Sequence, residues 1–556
     1  MHDELGDDVS LTEEMTMTVL DTLARWKEEH GVAFDYYLVD CFWYARPGDY
    51  QKFNSETWPN GFEPARKRME ELGMKPGLWL DVTGGQVTGN EAWAGSLDAF
   101  NNHHYCLFDG PYGQGLLDAM MHAAEEWGVR MFKFDFANFY AVSARCRDLE
   151  RGEVYAQNVS AFREICRSVK ERHPDVLMLA YNGFIHLPGF LDNTTGAVLP
   201  GIDPAWLGVM DYLYSGDPRP ADLPCTSLRR AVDMYQDHTV YKFHRSGIPL
   251  DRIDDHGCMV GGTNTAYYLG QRGWRRTWVQ TLARGSRKAH FYGDVTLLED
   301  DDVRFLKAAR DLFFGLYSQD AETRLLGGVP CQSPLHGFQT GAASDGLLVL
   351  VNASPEPEDV YFPVAGLERA SVLFHDEGHV PECEVSDGAL SVRLAPEQMA
   401  LVGLGEKADE QFQLGVNSGG DPVSPNARRL DLAFDGEHGD CECHTSGQYL
   451  ASAAAHEQDL SVLRLSFRLR DGSSAARRTM DRGETVSDAL RIEVRADRRT
   501  VAPLALVPGV KVWSGCSWVT GLYSLSELTG ADEVLIRFHC PDAEPRIIPQ
   551  ALLQAT

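Results

Sequence analysis

The sequence predicts an α/β chain, a (β/α)8 TIM-type barrel followed by C-terminal antiparallel β-sandwich domains. Three observations predict it. Short apolar runs alternate with amphipathic helical stretches over about 300 residues, and sustained alternation places parallel strands inside a layer of helices. Nearly every one of those runs ends on a charged or polar residue, as in barrels that gather their chemistry at the C-terminal ends of the strands. After about Ser318 the pattern becomes short alternating segments separated by Gly, Pro and Asp turns, the signature of antiparallel sheets. The boundaries read this way are 1–318 for the barrel, 319–405 for a β-sandwich and 406–556 for a second β-rich accessory domain.

The elements follow in order. Ser10 and Glu13 have capping-box spacing, and Leu11, Met15, Leu20, Leu23 and Trp26 follow at helical spacing up to Gly31. FDYYLVDCFW is a strand ending at Asp40. WPNGFEPARKRMEELG is a turn and a helix stopped by Gly73, and KPGLWLD is a strand ending at Asp81. The glycine-rich TGGQVTGNEAW after it has the composition of a binding loop. HHYCLFD (103–109) is a possible strand without a helix before it. A helix over 115–127 leads to the strand 129–137, and a helix over 154–171 leads to VLMLAYNG, ending at Asn182. VMDYLYSGDPRP is a strand running into a loop with Asp217. SLRRAVDMYQDH is a helix, VYKFHRSGIP a strand carrying His244, RRTWVQTLARG a helix, AHFYGDV a strand, and DDDVRFLKAARDLFFGL a closing helix capped by an aspartate. Seven barrel strands are counted without 103–109. The chain opens on a helix, so a first strand missing from this chain is expected. Beyond Leu404 a polar, Gly/Pro-bearing stretch reads as a linker to the last β segments.

Composition narrows the function. A formal net charge of −30 over 556 residues argues against nucleic acid or an anionic membrane as partner. No run of 18 apolar residues exists and the acidic N-terminus has no apolar signal segment, so a cytoplasmic protein is expected. The twelve cysteines lack a paired framework, which points to reduced thiols. Cys441, Cys443 and His444 have metal-like spacing but no second pair at zinc-finger distance, so no metal and no cofactor are expected. No GxGxxG or GxxxxGK[ST] follows a strand, which counts against a nucleotide-binding doubly wound sheet.

The chemistry centres on WGVRMFKFDFANFY (127–140). Residues two apart in a strand share a face, so Lys133 and Asp135 project together from an otherwise apolar strand. A structural ion pair is one reading; a nucleophile or base at a strand's C-terminal end is the other. Asp40, Asp81, Asn182, Asp211 or Asp217 and His244 are delivered to the same end, with Trp43, Trp79 and Phe136. Carboxylates beside aromatic walls suit sugars, and a retaining glycosidase needs two carboxylates about 5–5.5 Å apart. A Schiff-base role for Lys133 is disfavoured, because neighbouring carboxylates keep the amine charged.

YYLVDCFWY, then WPNGFEPARKRMEELGMKPGLWLD, then WGVRMFKFDFANF resembles the melibiase-type α-galactosidases of glycoside hydrolase clan D, families 36 and 27, over roughly residues 10–315. The resemblance implies a barrel followed by a β domain, with Asp135 as nucleophile and Asp217 as acid/base. It implies Lys133 and Asp40 as ligands of the sugar hydroxyls, and Trp79 as a wall of the pocket. The YSGDPRP segment carries an extra glycine, which leaves Asp211 in reserve as the acid. YNGF stands where the family has Cys-x-x-Gly-Gly, and the large N-terminal β domain of family 36 is absent. The expectation is therefore a retaining exo-α-glycosidase acting on α-galactoside-like termini of an oligosaccharide or glycoside, with Asp40, Trp43, Trp79, Asp81, Lys133, Asn182 and His244 binding substrate. An α-N-acetylgalactosaminidase, another α-glycosidase specificity and a non-catalytic carbohydrate-binding barrel are the alternatives. Assembly as a homo-oligomer is left open.

Overall fold

The computed structural model describes residues 11–554 apart from 47, 88, 182–183, 185–202, 217–227, 262–272, 331–332, 334, 355, 377–378, 418–427, 431–432, 435–445, 452–460, 471–490, 512–515, 532–533 and 540–545. The first helix, α1 (Glu13–His30), is capped by the Thr12 side chain, which accepts from the Met15 amide at 3.1 Å. Glu13 does not act in the expected capping box; it is buried and receives the amide and side chain of Asn60. Ser10 lies outside the described residues. Gly31 stops α1 in the left-handed conformation, which costs glycine no Cβ clash.

Strand β1 (Tyr36–Val39), the hairpin β2 (Tyr44–Ala45) and β3 (Asp49–Phe53), helix α2 (Glu63–Leu72), β4 (Lys75–Asp81), α3 (Tyr112–Glu126), β5 (Met131–Asp135), α4 (Arg151–Arg172) and β6 (Leu177–Ala180) follow. Then come β7 (Tyr212–Tyr214), α5 (Leu228–Arg245), β8 (Ile253–Asp254), β9 (Cys258–Val260), α6 (Trp274–Ala283), β10 (Phe291–Gly293) and α7 (Asp300–Tyr317), the last capped by Glu299 in a capping box with Asp302 rather than by an aspartate. Strands β1-β4-β5-β6-β7-β8 form one parallel sheet in that order, and β9 and β10 form a separate parallel pair. Among the described residues the hydrogen-bond ladder does not close, so the expected closed barrel is observed as a six-stranded sheet plus a two-stranded one.

Two expected elements differ. Residues 103–109 are not a strand; Tyr105 makes an isolated bridge to Leu97 and stacks on Tyr112 at 4.7 Å. The stretch holding His244 continues helix α5, because Val240 and Phe243 extend its buried face. The strand of the sheet comes later, at Ile253–Asp254. No helix among the described residues is long and apolar enough to cross a membrane.

Beyond α7 a six-stranded, largely antiparallel sheet faces a three-stranded one. Its strand Asp345–Asn352 is buried along nearly its whole length. Leu348 and Leu350 point into the core between the two sheets, while Leu347, Val349 and Val351 join the core beneath the helices. Burial on both faces explains its unbroken apolar run. The sheet runs past the expected boundary at 405: Gly415–Asn417 pairs with Ala370–Asp376, and Leu414 packs on the main core. Among the described residues that follow, the strands form two five-stranded sheets. Among the described residues neither core of the preceding unit holds a residue beyond Leu414. A chain ending at Asn417 is therefore expected to fold and to melt cooperatively, within a few degrees of the full chain, as a thermal melt followed by circular dichroism would show.

Candidate active site

Strands β4 and β5 pair with Trp79 opposite Lys133 and Asp81 opposite Asp135, so all four side chains share one face of the sheet. Phe132 and Phe134 take the other face, where Phe134 meets Phe162 of α4 edge-on. The indole nitrogen of Trp79 donates to Asp135 Oδ2 at 3.1 Å, and the Phe136 amide donates to Asp135 Oδ1 at 2.9 Å. Asp135 is 7% exposed, so its carboxylate is oriented by these donors at an almost dry position.

Lys133 reaches across the sheet to Asp40 Oδ2 at 2.8 Å, and Asp40 Oδ1 takes the Cys41 amide. Burial works against a charged lysine, yet Asp40, Tyr292 and Asp135 around it hold its pKa well above the ordinary value. Burial likewise opposes ionisation of Asp40, but Lys133 outweighs it and the pKa falls. Both groups are thus charged, and Lys133 is no amine nucleophile.

Asp81 is fully buried, its two oxygens taking the amides of Thr83 and Gln86. It shapes the polar loop after β4. Burial pushes it up to about 7, with the charge of Asp135 adding to that and the loop amides opposing it. The folded chain therefore binds this proton more tightly than the unfolded one. The stability that follows is complete below about pH 4 and is lost as the pH rises to about 7. Asp81→Asn cannot ionise, so melting wild type and variant side by side should show wild type losing stability relative to the variant across that window, by about 1.4 kcal/mol per pH unit.

Three strand ends carry non-glycine residues with positive φ just after their carboxylates: Phe42 (70°) after Asp40, Phe136 (49°) after Asp135 and His256 (73°) after Asp254. Such backbone is costly for bulky residues and concentrates at functional sites.

The structure brings together Asp40, Trp79, Asp81, Lys133 and Asp135. Trp43 lies beneath them, buried among Tyr44, Tyr50, Phe53 and Trp127 and donating to the Trp79 carbonyl at 2.9 Å; it supports the site rather than lining it. His244 is not in the site. It is exposed near the end of α5, with Nδ1 3.1 Å from the Ile248 carbonyl. Asp211 precedes β7, at the opposite end of the sheet from Asp135, where it pairs with Lys170 at 2.7 Å and accepts the Met178 amide. Asn182, Asp217 and the Cys441–Cys443–His444 group lie outside the described residues. Among the described residues the three-ligand grouping Glu29, His30 and Asp300 lies where α1 meets the start of α7, away from the strand ends.

Sequence reasoning missed a second cluster, formed by Tyr181, Asp254, Lys288, His290 and Tyr292. Tyr181 donates to Asp254 Oδ2 at 2.9 Å, and its hydroxyl lies 3.0 Å from that of Tyr292. Lys133 Nζ stands 4.3 Å from the Tyr181 ring centre and 5.5 Å from that of Tyr292, so this cluster and the Asp40–Lys133 pair share a wall of tyrosines. The available signal was the pair Asp254–Asp255 in RIDDHGCMV, two acids inside a short apolar run.

The sequence matches no family profile and no curated protein. Among solved structures the chain is similar to a GH36 α-galactosidase from Geobacillus stearothermophilus in complex with raffinose, at 11% identity and a TM-score of 0.47, over 70% of this chain and 53% of that one. It is similar to α-galactosidase I from Mortierella vinacea at 10% identity and a TM-score of 0.45, over 72% of this chain and 94% of that one. It is also similar to an α-galactosidase from Lactobacillus brevis at 12% identity and a TM-score of 0.47, over 71% of this chain and 53% of that one. The chain spans about half the length of the first of these.

Proposed function

We propose that the chain is a retaining, exo-acting α-glycosidase that hydrolyses terminal α-galactoside-like sugars through a covalent glycosyl-Asp135 intermediate. The observation that carries this reading is the setting of Asp135: a nearly dry carboxylate oriented by Trp79 and the Phe136 amide, beside buried Lys133 paired with half-buried Asp40, which can bind sugar hydroxyls. The six-stranded sheet and the β9–β10 pair are read as an eight-stranded barrel whose ladder is interrupted. Lys133 of β5 meeting Tyr181, one residue past β6, and Tyr292 of β10 supports that curvature.

In the first step Asp135 attacks the anomeric carbon while Asp217 protonates the departing oxygen; in the second Asp217 takes a proton from the water that releases the sugar. In the sequence Asp217 follows β7 by three residues, and Ser215, just after β7, donates its amide to the Asp254 carbonyl at 2.8 Å. Asp254 itself is engaged by Lys288, His290 and Tyr181, which suits a structural anion better than a proton donor.

The test compares nitrophenyl α-galactoside, α-N-acetylgalactosaminide and α-glucoside. The α-galactoside should be the best substrate, and no turnover of any of the three would refute the proposal. Asp217→Ala should slow substrates with poor leaving groups at least about 10²-fold and activated aryl glycosides far less. Azide should partly restore it by replacing water. The same behaviour in Asp254→Ala instead would reassign the acid.

A further inference from the structure

Lys133 is held from two sides. On one, Asp40 accepts its ammonium at 2.8 Å; on the other stand the faces of Tyr181 and Tyr292. At the Tyr181 hydroxyl stands a further carboxylate, Asp254, 2% exposed. Its Oδ2 is 2.5 Å from Lys288 Nζ and its Oδ1 is 3.1 Å from His290 Nδ1. Tyr181 donates to it, and the Tyr292 hydroxyl lies 3.4 Å from His290 Nδ1. Asp40 and Asp254 therefore flank one ammonium, with Asp135 also near it, and among the described residues Asp254 is the one of the flanking pair that has a second cation.

A buried carboxylate stripped of its cation attracts the nearest remaining one strongly, because little water screens it. We infer that Lys288 is a positioning residue for substrate binding: by neutralising Asp254 it leaves Lys133 on Asp40, in the arrangement that meets the sugar hydroxyls. This rests on the α-glycosidase reading. No bond to substrate is made by Lys288; it acts through Asp254 and the tyrosine wall.

The groups facing Lys288 are Asp254, His290 at 2.9 Å, the Tyr212 ring at 5.7 Å, and, at longer range, Asp255 and Lys133. Burial lowers Lys288 to about 8, against the pull of Asp254. As the pH rises through that value Lys288 loses its charge, Asp254 competes with Asp40 for Lys133, and KM should climb.

The experiment measures kcat and KM on nitrophenyl α-galactoside for wild type, Lys288→Met, Lys288→Arg and the double variant Lys288→Met/Asp254→Asn, across about pH 6 to 9.5, with melting temperatures as folding controls. Lys288→Met should raise KM about tenfold at neutral pH, with kcat changed by less than about threefold. Lys288→Arg should keep KM low to the top of the range, where wild type has risen. The double variant should return to near wild-type KM and lose the alkaline rise, since no unneutralised anion remains. A double variant as impaired as Lys288→Met, or an arginine variant with the wild-type alkaline rise, overturns the proposal. If Lys288→Met does not fold, the arginine variant and the double variant decide it by the same criteria. Wild type that turns over no α-glycoside refutes the underlying reading instead, a distinct outcome.

Discussion

Asp135→Asn is expected to lower kcat on an aryl α-galactoside by at least about 10⁴-fold, the scale on which losing a nucleophile is felt. The amide is nearly isosteric with the carboxylate but cannot form a stable glycosyl ester. Folding should survive. Trp79 Nε1 and the Phe136 amide each donate to one carboxylate oxygen, and asparagine keeps one acceptor, so the cost is one hydrogen bond of about 1 kcal/mol. A melting temperature within a few degrees of wild type, with turnover gone, is the expected pair of results. An Asn variant that keeps more than about a hundredth of the activity would remove Asp135 as the nucleophile.

A chain ending at Ser318 is expected not to fold, although the sequence pattern reads it as a complete barrel domain. Phe338, Leu347, Val349, Val351, Phe374, Met399 and Leu401 belong to the same core as helix α7, and deletion would leave that face of the helices in water. Arg230 would lose its carboxylate, and Asp237 would keep Arg284 but lose a buried hydrogen bond. Arg230 pairs with Asp376 at 2.9 Å, and Asp237, fully buried between Arg284 and His336, takes the His336 imidazole at 2.8 Å. Breaking a buried pair by removing one partner costs about 3–5 kcal/mol. That loss alone is comparable with the lower end of the stability of an ordinary domain, about 5–15 kcal/mol. Soluble expression and far-ultraviolet circular dichroism of chains ending at 318 and at 417 would check this. A cooperative melt from the shorter chain would show that the barrel region carries its own core.

The shared core was illegible because an apolar run such as DGLLVLVN states that both faces are buried, not against what. Strand β8 was missed for a related reason. RIDDHG holds two acids and a histidine, and only the ion pairs of Asp254 with Lys288 and of Asp255 with Arg284 make that composition tolerable inside a fold. His244 was misplaced because a β-branched and aromatic run, TVYKF, fits a strand's propensities as well as a helix whose buried stripe it continues.

By itself the sequence determined what depends on near neighbours. Period two put Lys133 and Asp135 on one face, apolar runs ending in acids put Asp40, Asp81 and Asp135 at one edge, and alternation made the sheet parallel. Tertiary structure alone decided the partners and the charges. Lys133 bonds a carboxylate 93 residues away, Asp81 is closed in by its own loop, and Asp254 takes the hydroxyl of Tyr181, 73 residues away. Hydrogen-bond geometry and desolvation depend on distances through space and on everything packed around a group, and neither is a local property of the chain.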